Sequence, residues 1–372
     1  MNADSTPNTT GQATAELLRP LTLRGVTIPS RIVVSPMCQY CAQDGFADDW
    51  HLVHLGSRAV GGAGLVFAEA TAVTARGRIS STDLGIWTEA HIEPLARVTA
   101  FLRRMGAVSG MQLAHAGRKA SCLPPWLGGA RVAPEAEDGW EIVAPSAIPF
   151  SEGEPAPRAL DVDSIAEIKA AFVAAARRSV AAGFDVVELH AAHGYLLHQF
   201  LSPLSNKRDD AYGGTLENRM RLTLETAQAV RETLPESMPL FVRVSATDWV
   251  DGGWDLEQTV ALAKELKGVG VDLMDITSGG LVPHAKIPVG PGYQVPFAEA
   301  VRKRADMPVS AVGMITDPAQ AEAIVSSGQA DMVMLGRQML REPYFALNAA
   351  QALGGEAKWP TQYGYAVRTR RS

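Results

Sequence analysis

The chain is poor in cysteine and carries no excess of positive charge. Its 372 residues include three cysteines, Cys38, Cys41 and Cys122, which are too few for a disulfide framework and suit a reducing compartment. The formal net charge of −6 argues against nucleic acid or an anionic membrane as the main partner. No apolar run approaches the roughly 20 residues that a membrane-spanning helix needs. We therefore expect a cytoplasmic protein that acts on a small molecule.

The first residues lack the pattern of a secretory signal. They are polar and rich in threonine, with no charged segment followed by an apolar one. We interpret residues 1–16 as a disordered leader. The remaining length would allow two domains, but an α/β barrel with insertions also accommodates it. We therefore predict one domain over residues 17–372.

Apolar, β-branched runs alternate with amphipathic segments along the chain. This alternation is typical of βαβ units and a parallel sheet. The eight predicted strands cover residues 31–35, 65–70, 108–113, 186–190, 240–244, 273–277, 309–312 and 332–335. The clearest predicted helices cover residues 90–105, 164–182, 216–234 and 257–269. Eight strands alternating with helices predict a closed (β/α)8 barrel, the TIM barrel, rather than an open sheet.

Two segments depart from this alternation. Residues 114–161 are rich in proline and glycine and are too long for an ordinary loop, so we expect an excursion over the barrel mouth after strand three. Residues 341–353 are predicted to form a helix, and residues 354–372 an irregular C-terminal tail. Both segments bear on the size of any pocket at the barrel mouth.

The fourth predicted strand ends in polar residues with catalytic potential. The sequence HAAHGY puts His190, His193 and Tyr195 at its carboxyl end, which in a (β/α)8 barrel faces the active site. Imidazole N–H groups can stabilise a substrate oxyanion, and a phenol can donate a proton. Two other interpretations stay open: zinc binding by the histidines, as in a zinc-dependent TIM-barrel hydrolase that also uses a cysteine, or a buried polar pair.

Two later strands end in residues that suit a phosphorylated ligand. Gly313 follows strand seven, and Gly336 and Arg337 follow strand eight, where such barrels bind phosphate through backbone N–H groups. Arg337 would add a charge-assisted contact. The alternative is that both glycines only allow tight turns.

Arg243 lies in the fifth predicted strand, where burial of an unpaired guanidinium is costly. One partner that would satisfy it is an anionic ligand at the barrel mouth. The alternative partner is a buried carboxylate, which Asp275 or Glu188 could supply.

Cys38 and Cys41 form a Cys-x-x-Cys pattern after strand one. A thioredoxin-like dithiol would open a helix, and a four-iron cluster needs more than three cysteines. Here the pattern lies in a loop and has an aromatic residue inside it. It therefore favours neither function, and Cys41 and Cys122 receive no role.

The motifs at these positions resemble those of one family. The resemblance runs over residues 18–363 and is carried by SPMCQY (35–40), GMQLAHAGRK (110–119), HAAHGYLLHQFLSPLSNKRDDAYGGTLENR (190–219), PGYQVPFAEAVR (291–302) and GRQMLREP (336–343). The chain resembles the old yellow enzymes, FMN-dependent ene-reductases, in the branch with a flavin-contacting cysteine (thermophilic-like or xenobiotic reductase type). The resemblance implies FMN over the barrel mouth, NADPH or NADH as reductant, and ping-pong reduction of C=C bonds conjugated to a carbonyl or nitro group.

The resemblance also implies roles for individual residues. His190 and His193 bind the substrate's carbonyl oxygen, and Tyr195 protonates the α-carbon when hydride reaches the β-carbon. Tyr40 contacts the same oxygen, and Cys38 lies beside the flavin and tunes its redox potential. The residues expected to contact FMN are Ser35, Pro36, Met37, Cys38, Ala70, Gln112, Arg243, Gly313, Gly336 and Arg337. No metal is expected.

The C-terminal tail is expected to reach a second subunit. In this branch an arginine near the C-terminus enters the neighbouring active site, which implies a homodimer or homotetramer. By spacing that arginine is Arg368, with Arg370 and Arg371 as alternatives. Trp359 either lines the substrate pocket or holds the tail in place. Besides the zinc hydrolase, a sensor of a phosphorylated ligand, without catalysis, stays open as a third function.

Overall fold

The computed structural model describes residues 15–367. This part begins with a short 3-10 helix, Glu16–Leu18, and a two-stranded antiparallel hairpin formed by Leu21–Leu23 and Val26–Ile28. Residues 1–14, most of the predicted leader, lie outside it. No helix of the described part is long and apolar enough to cross a membrane.

Parallel strands close into a barrel in the described part of the chain. They are β1 (Ile32–Val34), β2 (Leu65–Ala72), β3 (Val108–Ala114), β4 (Val186–Ala191), β5 (Leu240–Ser245), β6 (Leu273–Thr277), β7 (Val309–Ala311) and β8 (Met332–Leu335). Strands that follow each other in the chain are neighbours in the barrel, and β8 pairs with β1 to close it. The predicted (β/α)8 barrel is confirmed.

Helices connect the strands around the outside of the barrel. Those between β1 and β8 are Asp49–Val60, Ile92–Arg104, Val162–Ala181, Leu196–Leu201, Leu216–Thr233, Leu256–Gly268, Val295–Ala305 and Pro318–Ser326. Several start at a side chain that accepts hydrogen bonds from the first free backbone N–H groups: Asp48, Asp161, Thr215, Asp255 and Asp317. These caps fix where each helix begins after its loop.

The helix predicted over residues 341–353 is present but begins later, at Phe345, and ends at Ala352. A shorter helix, Arg337–Arg341, precedes it. Pro343 lies between them, has no N–H to donate, and disfavours helical backbone at Glu342, whose φ and ψ are −134° and 81°. The described part of the tail ends in a short helix, Gly364–Val367.

The barrel interior is layered because alternate residues of each strand face inward. Towards the amino ends of the strands lies an apolar layer, formed by Val33, Leu65, Phe67, Val108, Val186, Phe241, Leu273, Met332 and Met334. Leu23 and Ile28 of the hairpin pack onto this layer. The next inward positions form a buried polar layer: Gln112, Glu188, Arg243, Asp275 and Ser310. The polar layer therefore lies beneath the carboxyl ends of the strands.

The segment after β3 lies over the barrel mouth, as predicted. It contains only short elements, Gly117–Lys119, Pro125–Leu127 and a two-residue ladder of Val143–Ala144 with Arg158–Ala159. The Arg118 guanidinium donates to the Pro149 carbonyl of this segment and to the Leu281 carbonyl beyond β6. Ile142 and Trp140 share an apolar cluster with Tyr195. The excursion therefore forms one wall beside the end of β4.

Candidate active site

A cavity of about 660 Å³ opens among the carboxyl ends of β5 to β8 and β1. Its wall includes predicted site residues from five separate strand ends: Ser35, Met37, His193, Arg243, Gly313, Gly336 and Arg337. Pro36 and Cys38 flank Met37 in the chain. The volume falls within the range of roughly 300–1,000 Å³ typical of ligand and cofactor sites. Residues far apart in sequence therefore meet around one space large enough for a cofactor.

β4 carries the predicted catalytic residues to the edge of this cavity. His190 is near its end, and His193 and Tyr195 follow in the turn before helix Leu196–Leu201. The rings of His190 and His193 meet edge to face, with centroids 5.1 Å apart. His190 and Tyr195 do the same at 4.9 Å. The structure therefore brings these three side chains into contact.

The turn that carries His193 is held on several sides. Its φ of 57° lies in the left-handed region, which non-glycine residues adopt infrequently. The His193 N–H donates to Ser245 Oγ at 2.9 Å, and its carbonyl accepts from Lys119 Nζ at 2.9 Å. At Gly194 a Cβ would lie 2.2 Å from the Gly280 carbonyl oxygen, so only glycine fits. These contacts fix the direction of the His193 imidazole.

Both histidines are neutral at pH 7. Burial lowers the pKa of His190 and the pKa of His193 well below the usual value, and the charge of Arg243 lowers both further. The Ala192 N–H lies 3.3 Å from His190 Nδ1, which assigns the His190 proton to Nε2. His190 Nε2 is 3.4 Å from His193 Nδ1, and His193 Nε2 is 3.0 Å from Thr277 Oγ1. A neutral N–H donor is therefore available beside the cavity.

Tyr195 is protonated at pH 7 and has a cation close to its ring. Burial raises the pKa of Tyr195 well above its usual value. Ala70 lies beside it across a small void, and the Lys119 ammonium is 5.2 Å from the ring centre. Burial lowers the pKa of Lys119 to about 8, and its Nζ donates to the carbonyls of His193 and Gly280. Lys119, for which no role was predicted from the sequence, therefore links the turn that carries His193 to the loop after β6.

In the polar layer, Arg243 pairs with a buried carboxylate, which is one of the two kinds of partner that the sequence left open. Its Nε lies 2.9 Å from Asp275 Oδ2, and its Nη1 donates to Ser35 Oγ at 3.1 Å. Asp275 also accepts a hydrogen bond from Ser310 Oγ at 2.7 Å. Arg243 also lines the cavity, so its guanidinium lies between Asp275 and the cavity.

A second carboxyl group lies in the same layer. Gln112 Nε2 donates to Glu188 Oε1 at 2.7 Å, while Glu188 Oε2 is buried without a hydrogen-bond partner. Burial and the charge of Asp275 raise the pKa of Glu188 to about 8. Because Asp275 has the guanidinium and the Ser310 hydroxyl beside it, we assign the extra proton at pH 7 to Glu188.

The segment after β1 carries Cys38 and Tyr40. Burial raises the pKa of the Cys38 thiol, and the charges of Asp83 and Glu69 raise it further, so the group is a thiol at pH 7. Tyr40 has a left-handed φ of 53°, and its ring meets Trp126 of the excursion edge to face at 5.7 Å. The segment therefore lies between the cavity and the excursion.

Gly313 and Gly336 differ in how strictly the structure requires glycine. Gly313 has a φ of 123°, and a Cβ there would lie 2.8 Å from Gln294 Nε2. A Cβ on Gly336 would meet Met37 Sδ at an ordinary distance of 3.8 Å. Arg337 begins the helix that follows β8, and its side chain is exposed at the cavity wall.

Gln294 and Tyr293, for which no role was predicted from the sequence, also line the cavity. Gln294 Oε1 accepts hydrogen bonds from Ser278 Oγ at 2.6 Å and Thr277 Oγ1 at 3.3 Å. Its Nε2 donates to the Val312 carbonyl at 2.9 Å. The available signal was the motif PGYQVPFAEAVR, which contains both residues but was given no role.

The structure does not bring Trp359 to the cavity of its own chain. Trp359 lines a different cavity with Ser30 and Ala63, which precede β1 and β2 at the opposite end of the barrel. Its ring stacks on Tyr344 with centroids 6.1 Å apart. The tail arginines Arg368, Arg370 and Arg371 lie outside the described residues.

Comparison with known proteins connects this cavity to one family. Residues 16–356 match the NADH:flavin oxidoreductase / NADH oxidase family. The chain is 49% identical to an NADPH dehydrogenase of Geobacillus sp. over 349 residues, 93% of this chain and 97% of that protein. It is similar to morphinone reductase, with a TM-score of 0.76, 29% identity and coverage of 94% and 92%. An old yellow enzyme homologue from Zymomonas mobilis gives a TM-score of 0.72, 26% identity and coverage of 95% and 97%.

The cavity fits the cofactor that this family uses. It has a suitable volume and a cationic Arg243 on its wall. At Gly313 the backbone lies close to Gln294, so that a Cβ would not fit there. The match also decides between the two enzyme classes that the sequence allowed, in favour of flavin chemistry over zinc-dependent hydrolysis. The chain belongs to the old yellow enzyme family of NADH:flavin oxidoreductases and is an FMN-dependent NAD(P)H oxidoreductase.

Proposed function

We propose that this enzyme reduces activated C=C bonds, conjugated to a carbonyl or nitro group, with electrons from NADPH or NADH. FMN, when bound in the cavity, supplies the hydride that reaches the β-carbon of the substrate. The observation that carries this proposal is the contact of His190, His193 and Tyr195 beside the cavity. These three side chains offer hydrogen-bond donors and a proton, which are the groups that reduction of a conjugated alkene needs.

His190 and His193 bind the oxygen of the activating group. His190 carries its proton on Nε2. When substrate binds, the Thr277 hydroxyl would turn its proton from Gln294 Oε1 to His193 Nε2, which leaves the His193 proton on Nδ1. These two nitrogens are 3.4 Å apart, so one oxygen can accept from both. Each donor stabilises the negative charge that grows on that oxygen, by roughly 2.7–4 kcal/mol for donors of this kind.

Tyr195 gives its proton to the α-carbon. Its ring lies against His190, which places the phenol next to the proposed oxygen site. Because burial raises the pKa of Tyr195, the phenol keeps its proton until a strongly basic enolate forms. Tyr40, in the segment after β1, would give the oxygen a further hydrogen bond.

The polar layer and the loops after β7 and β8 hold FMN. Arg243 and Gln112 would bind the pyrimidine end of the flavin, because Gln112 turns its Nε2 to Glu188 and leaves its Oε1 free as an acceptor. Gly313, Gly336 and Arg337 would bind the phosphate. Ser35, Pro36, Met37, Cys38 and Ala70 would contact the ring system, and Cys38 would tune its potential.

The same pair of histidines would bind the nicotinamide and the alkene in turn, which makes the reaction ping-pong. We also propose a homodimer or homotetramer with a tail arginine, Arg368 by spacing, in the neighbouring active site. The stacking of Trp359 on Tyr344, away from the cavity of its own chain, supports the alternative role of Trp359 in holding the tail in place. The three cysteines are free thiols, which supports a cytoplasmic location.

The test uses the FMN-loaded enzyme without oxygen. We expect NADPH to bleach the flavin band and cyclohexenone to restore it, with one cyclohexanone formed per NADPH oxidised. A His190→Leu variant should still bleach but should restore the band far more slowly. Flavin that bleaches with NADPH and is not reoxidised by cyclohexenone or a nitroalkene would contradict the proposal.

A further inference from the structure

The Lys119 side chain lies beside the proposed proton donor, and the proposed reaction gives it no chemical role. Lys119 is the last residue of the short element Gly117–Lys119 after β3. Its ammonium is 5.2 Å from the centre of the Tyr195 ring and 4.7 Å from the centre of the Phe150 ring in the excursion. A cation within about 6 Å of a ring centre is attracted to the ring. The ammonium therefore lies between two aromatic rings, one of which carries the acidic phenol.

Two backbone carbonyls hold the ammonium in this position. Lys119 Nζ donates to the His193 carbonyl at 2.9 Å and to the Gly280 carbonyl at 3.0 Å. An ammonium has three N–H donors, so one is left for another acceptor. Among residues 15–367, where other lysines form ion pairs, Lys119 has no carboxylate within ion-pair distance. The charge of Lys119 is therefore fixed in place without a carboxylate beside it.

Lys119 is charged at pH 7 although its surroundings disfavour the charge. The groups that face it are two from its own segment, one from the excursion and two from the turn after β4: Arg118, Cys122, Arg131, His193 and Tyr195. The loop after β6 faces it with the uncharged Gly280 carbonyl. Burial lowers the pKa of Lys119 to about 8, and the charge of Arg118 contributes to the decrease. The side chain therefore keeps its proton at pH 7 and loses it above pH 8.

A cation at this place matters when Tyr195 gives up its proton. The O–H bond of Tyr195 breaks, a C–H bond forms at the α-carbon of the substrate, and the negative charge passes from the enolate oxygen to the phenol oxygen. Burial raises the pKa of Tyr195, so this charge is costly to form. A fixed positive charge nearby lowers that cost, and it does so more strongly between rings that exclude water than in solution. Lys119 keeps its own proton throughout.

We propose that Lys119 assists the proton transfer as a positioning residue, by stabilising the phenolate that Tyr195 becomes. This inference rests on the proposed function, because the phenolate forms only if Tyr195 protonates an enolate. The competing explanation is that Lys119 only holds the turn that carries His193. The two explanations differ in the half-reactions that they affect. The phenolate arises only when the alkene is reduced, whereas His193 would bind both the nicotinamide and the alkene.

The first test removes the charge in the FMN-loaded enzyme without oxygen. In stopped-flow measurements, Lys119→Met should slow reoxidation of the flavin by cyclohexenone by roughly 10-fold, a part of the 10²–10⁴-fold that a general acid supplies. Flavin reduction by NADPH should change by less than about twofold, because it needs no proton from Tyr195. Lys119→Arg keeps the charge and should recover part of the rate. Lys267→Met, a matched change of a lysine on the outer helix Leu256–Gly268, should change neither half-reaction.

The second test asks whether the effect passes through the phenol. In a Tyr195→Phe background no phenolate can form, so Lys119→Met should cause no further loss of the reoxidation rate. The two changes should therefore be strongly non-additive, as expected of residues that act in one step. A role in holding the turn would instead slow the double variant further and would also slow reduction by NADPH.

The third test uses pH. Because Lys119 is charged below pH 8 and neutral above it, the reoxidation rate of the wild type should fall as the pH rises through 8 and approach that of Lys119→Met. Tyr195 stays protonated over this range, since burial raises its pKa. Glu188 also has a pKa of about 8, but its effect should be the same in both proteins. The ratio of the two rates at each pH therefore isolates the contribution of Lys119.

Three results would overturn the inference: a wild-type reoxidation rate in Lys119→Met, an equal loss in both half-reactions, or a rate ratio that does not fall above pH 8. The flavin spectrum and the Tm of each variant report whether it is folded and loaded with FMN. If the wild type itself is not reoxidised by cyclohexenone or a nitroalkene, the proposed function fails together with this inference. That result differs from a variant that is reoxidised as fast as an active wild type, which excludes the role of Lys119 alone.

Discussion

The lower and upper layers of the barrel interior are built on the same strands but differ in chemistry. In the apolar layer, Phe241 of β5 packs against Phe67 with ring centroids 6.1 Å apart. Two residues further along β5, at the next inward position, Arg243 pairs with Asp275 and reaches Ser35. One strand therefore contributes to the core at one end and to the site at the other, as barrel enzymes commonly do.

The difference between the layers lies in what each side chain needs from its neighbours. A phenyl ring gains from any close apolar contact, whereas a buried guanidinium or carboxylate is tolerated only with a partner. Glu188 keeps a proton and a hydrogen bond from Gln112 but has one oxygen without a partner. The upper layer is therefore less completely satisfied by the protein itself, as expected where a cofactor binds.

The largest effect should come from removing the cation of the upper layer. Arg243→Met leaves Asp275 without its counter-charge and should destabilise the protein by roughly 3–5 kcal/mol. It should also abolish tight FMN binding. Denaturant unfolding and FMN fluorescence titration measure the two effects. Arg243→Lys keeps the charge and should recover part of the stability and part of the FMN affinity. An Arg243→Met variant that binds FMN as tightly as the wild type would contradict the assignment.

The matched change in the lower layer should affect stability alone. Phe241→Ala removes a fully buried ring and should cost about 3–5 kcal/mol. Its FMN dissociation constant should stay within about threefold of the wild type, because the ring is two positions below the site. If Phe241→Ala lost FMN as Arg243→Met is expected to, the two layers would not be functionally separate.

Above the polar layer, Tyr195→Phe should lower a rate and leave stability almost unchanged. We expect reoxidation by cyclohexenone to slow by roughly 100-fold, the lower end of the range for a general acid. Flavin reduction by NADPH needs no proton from Tyr195 and should change little. Stopped-flow measurement of the two half-reactions tests this, and an equal loss in both would exclude the proton-donor role.

Glu188 should make the stability of the upper layer depend on pH. Its pKa in the folded protein, about 8, is above its usual 4.5, so the folded state holds a proton that the unfolded state loses. The stabilisation is therefore complete below pH 4.5 and is lost as the pH rises through 8. Between these limits the Tm of the wild type should fall relative to that of Glu188→Gln. Parallel Tm curves for the two proteins would mean that Glu188 is ionised throughout.

The smallest effect should be electronic. Cys38→Ala should keep FMN bound and shift its midpoint potential by on the order of 30 mV, about 1.4 kcal/mol for two electrons. A xanthine oxidase redox titration with a reference dye measures the potential. An unchanged potential would remove the tuning role and leave Cys38 as a packing residue.

The barrel and much of its site could be predicted because the signals are local. Each strand is a short apolar run, and the residue that follows it must face the mouth, so His190, Arg243 and Gly313 could be placed before their contacts were known. The start of the helix predicted over residues 341–353 was less accurate, because Pro343 precedes it and the helix begins only at Phe345. Local backbone chemistry outweighed periodicity there.

Contacts between distant elements could not be predicted. Lys119 donates to the His193 carbonyl, 74 positions away, and Gln294 accepts from Ser278, 16 positions away. Neither residue lies in a local sequence pattern that indicates its partner. His51 of a helix and Glu69 of β2 meet at 3.2 Å although they are 18 positions apart. Only the closed barrel brings such residues together, so these contacts required coordinates.

The N-terminal hairpin affects how substrates and products enter and leave the enzyme. Leu23 and Ile28 pack against the apolar layer and so close the barrel at its amino end. The reaction chamber is therefore blind-ended, and every molecule that enters at the mouth must leave by the same opening. In the proposed ping-pong cycle, an oxidised nicotinamide that stays in the chamber would block the next alkene, so we expect product inhibition.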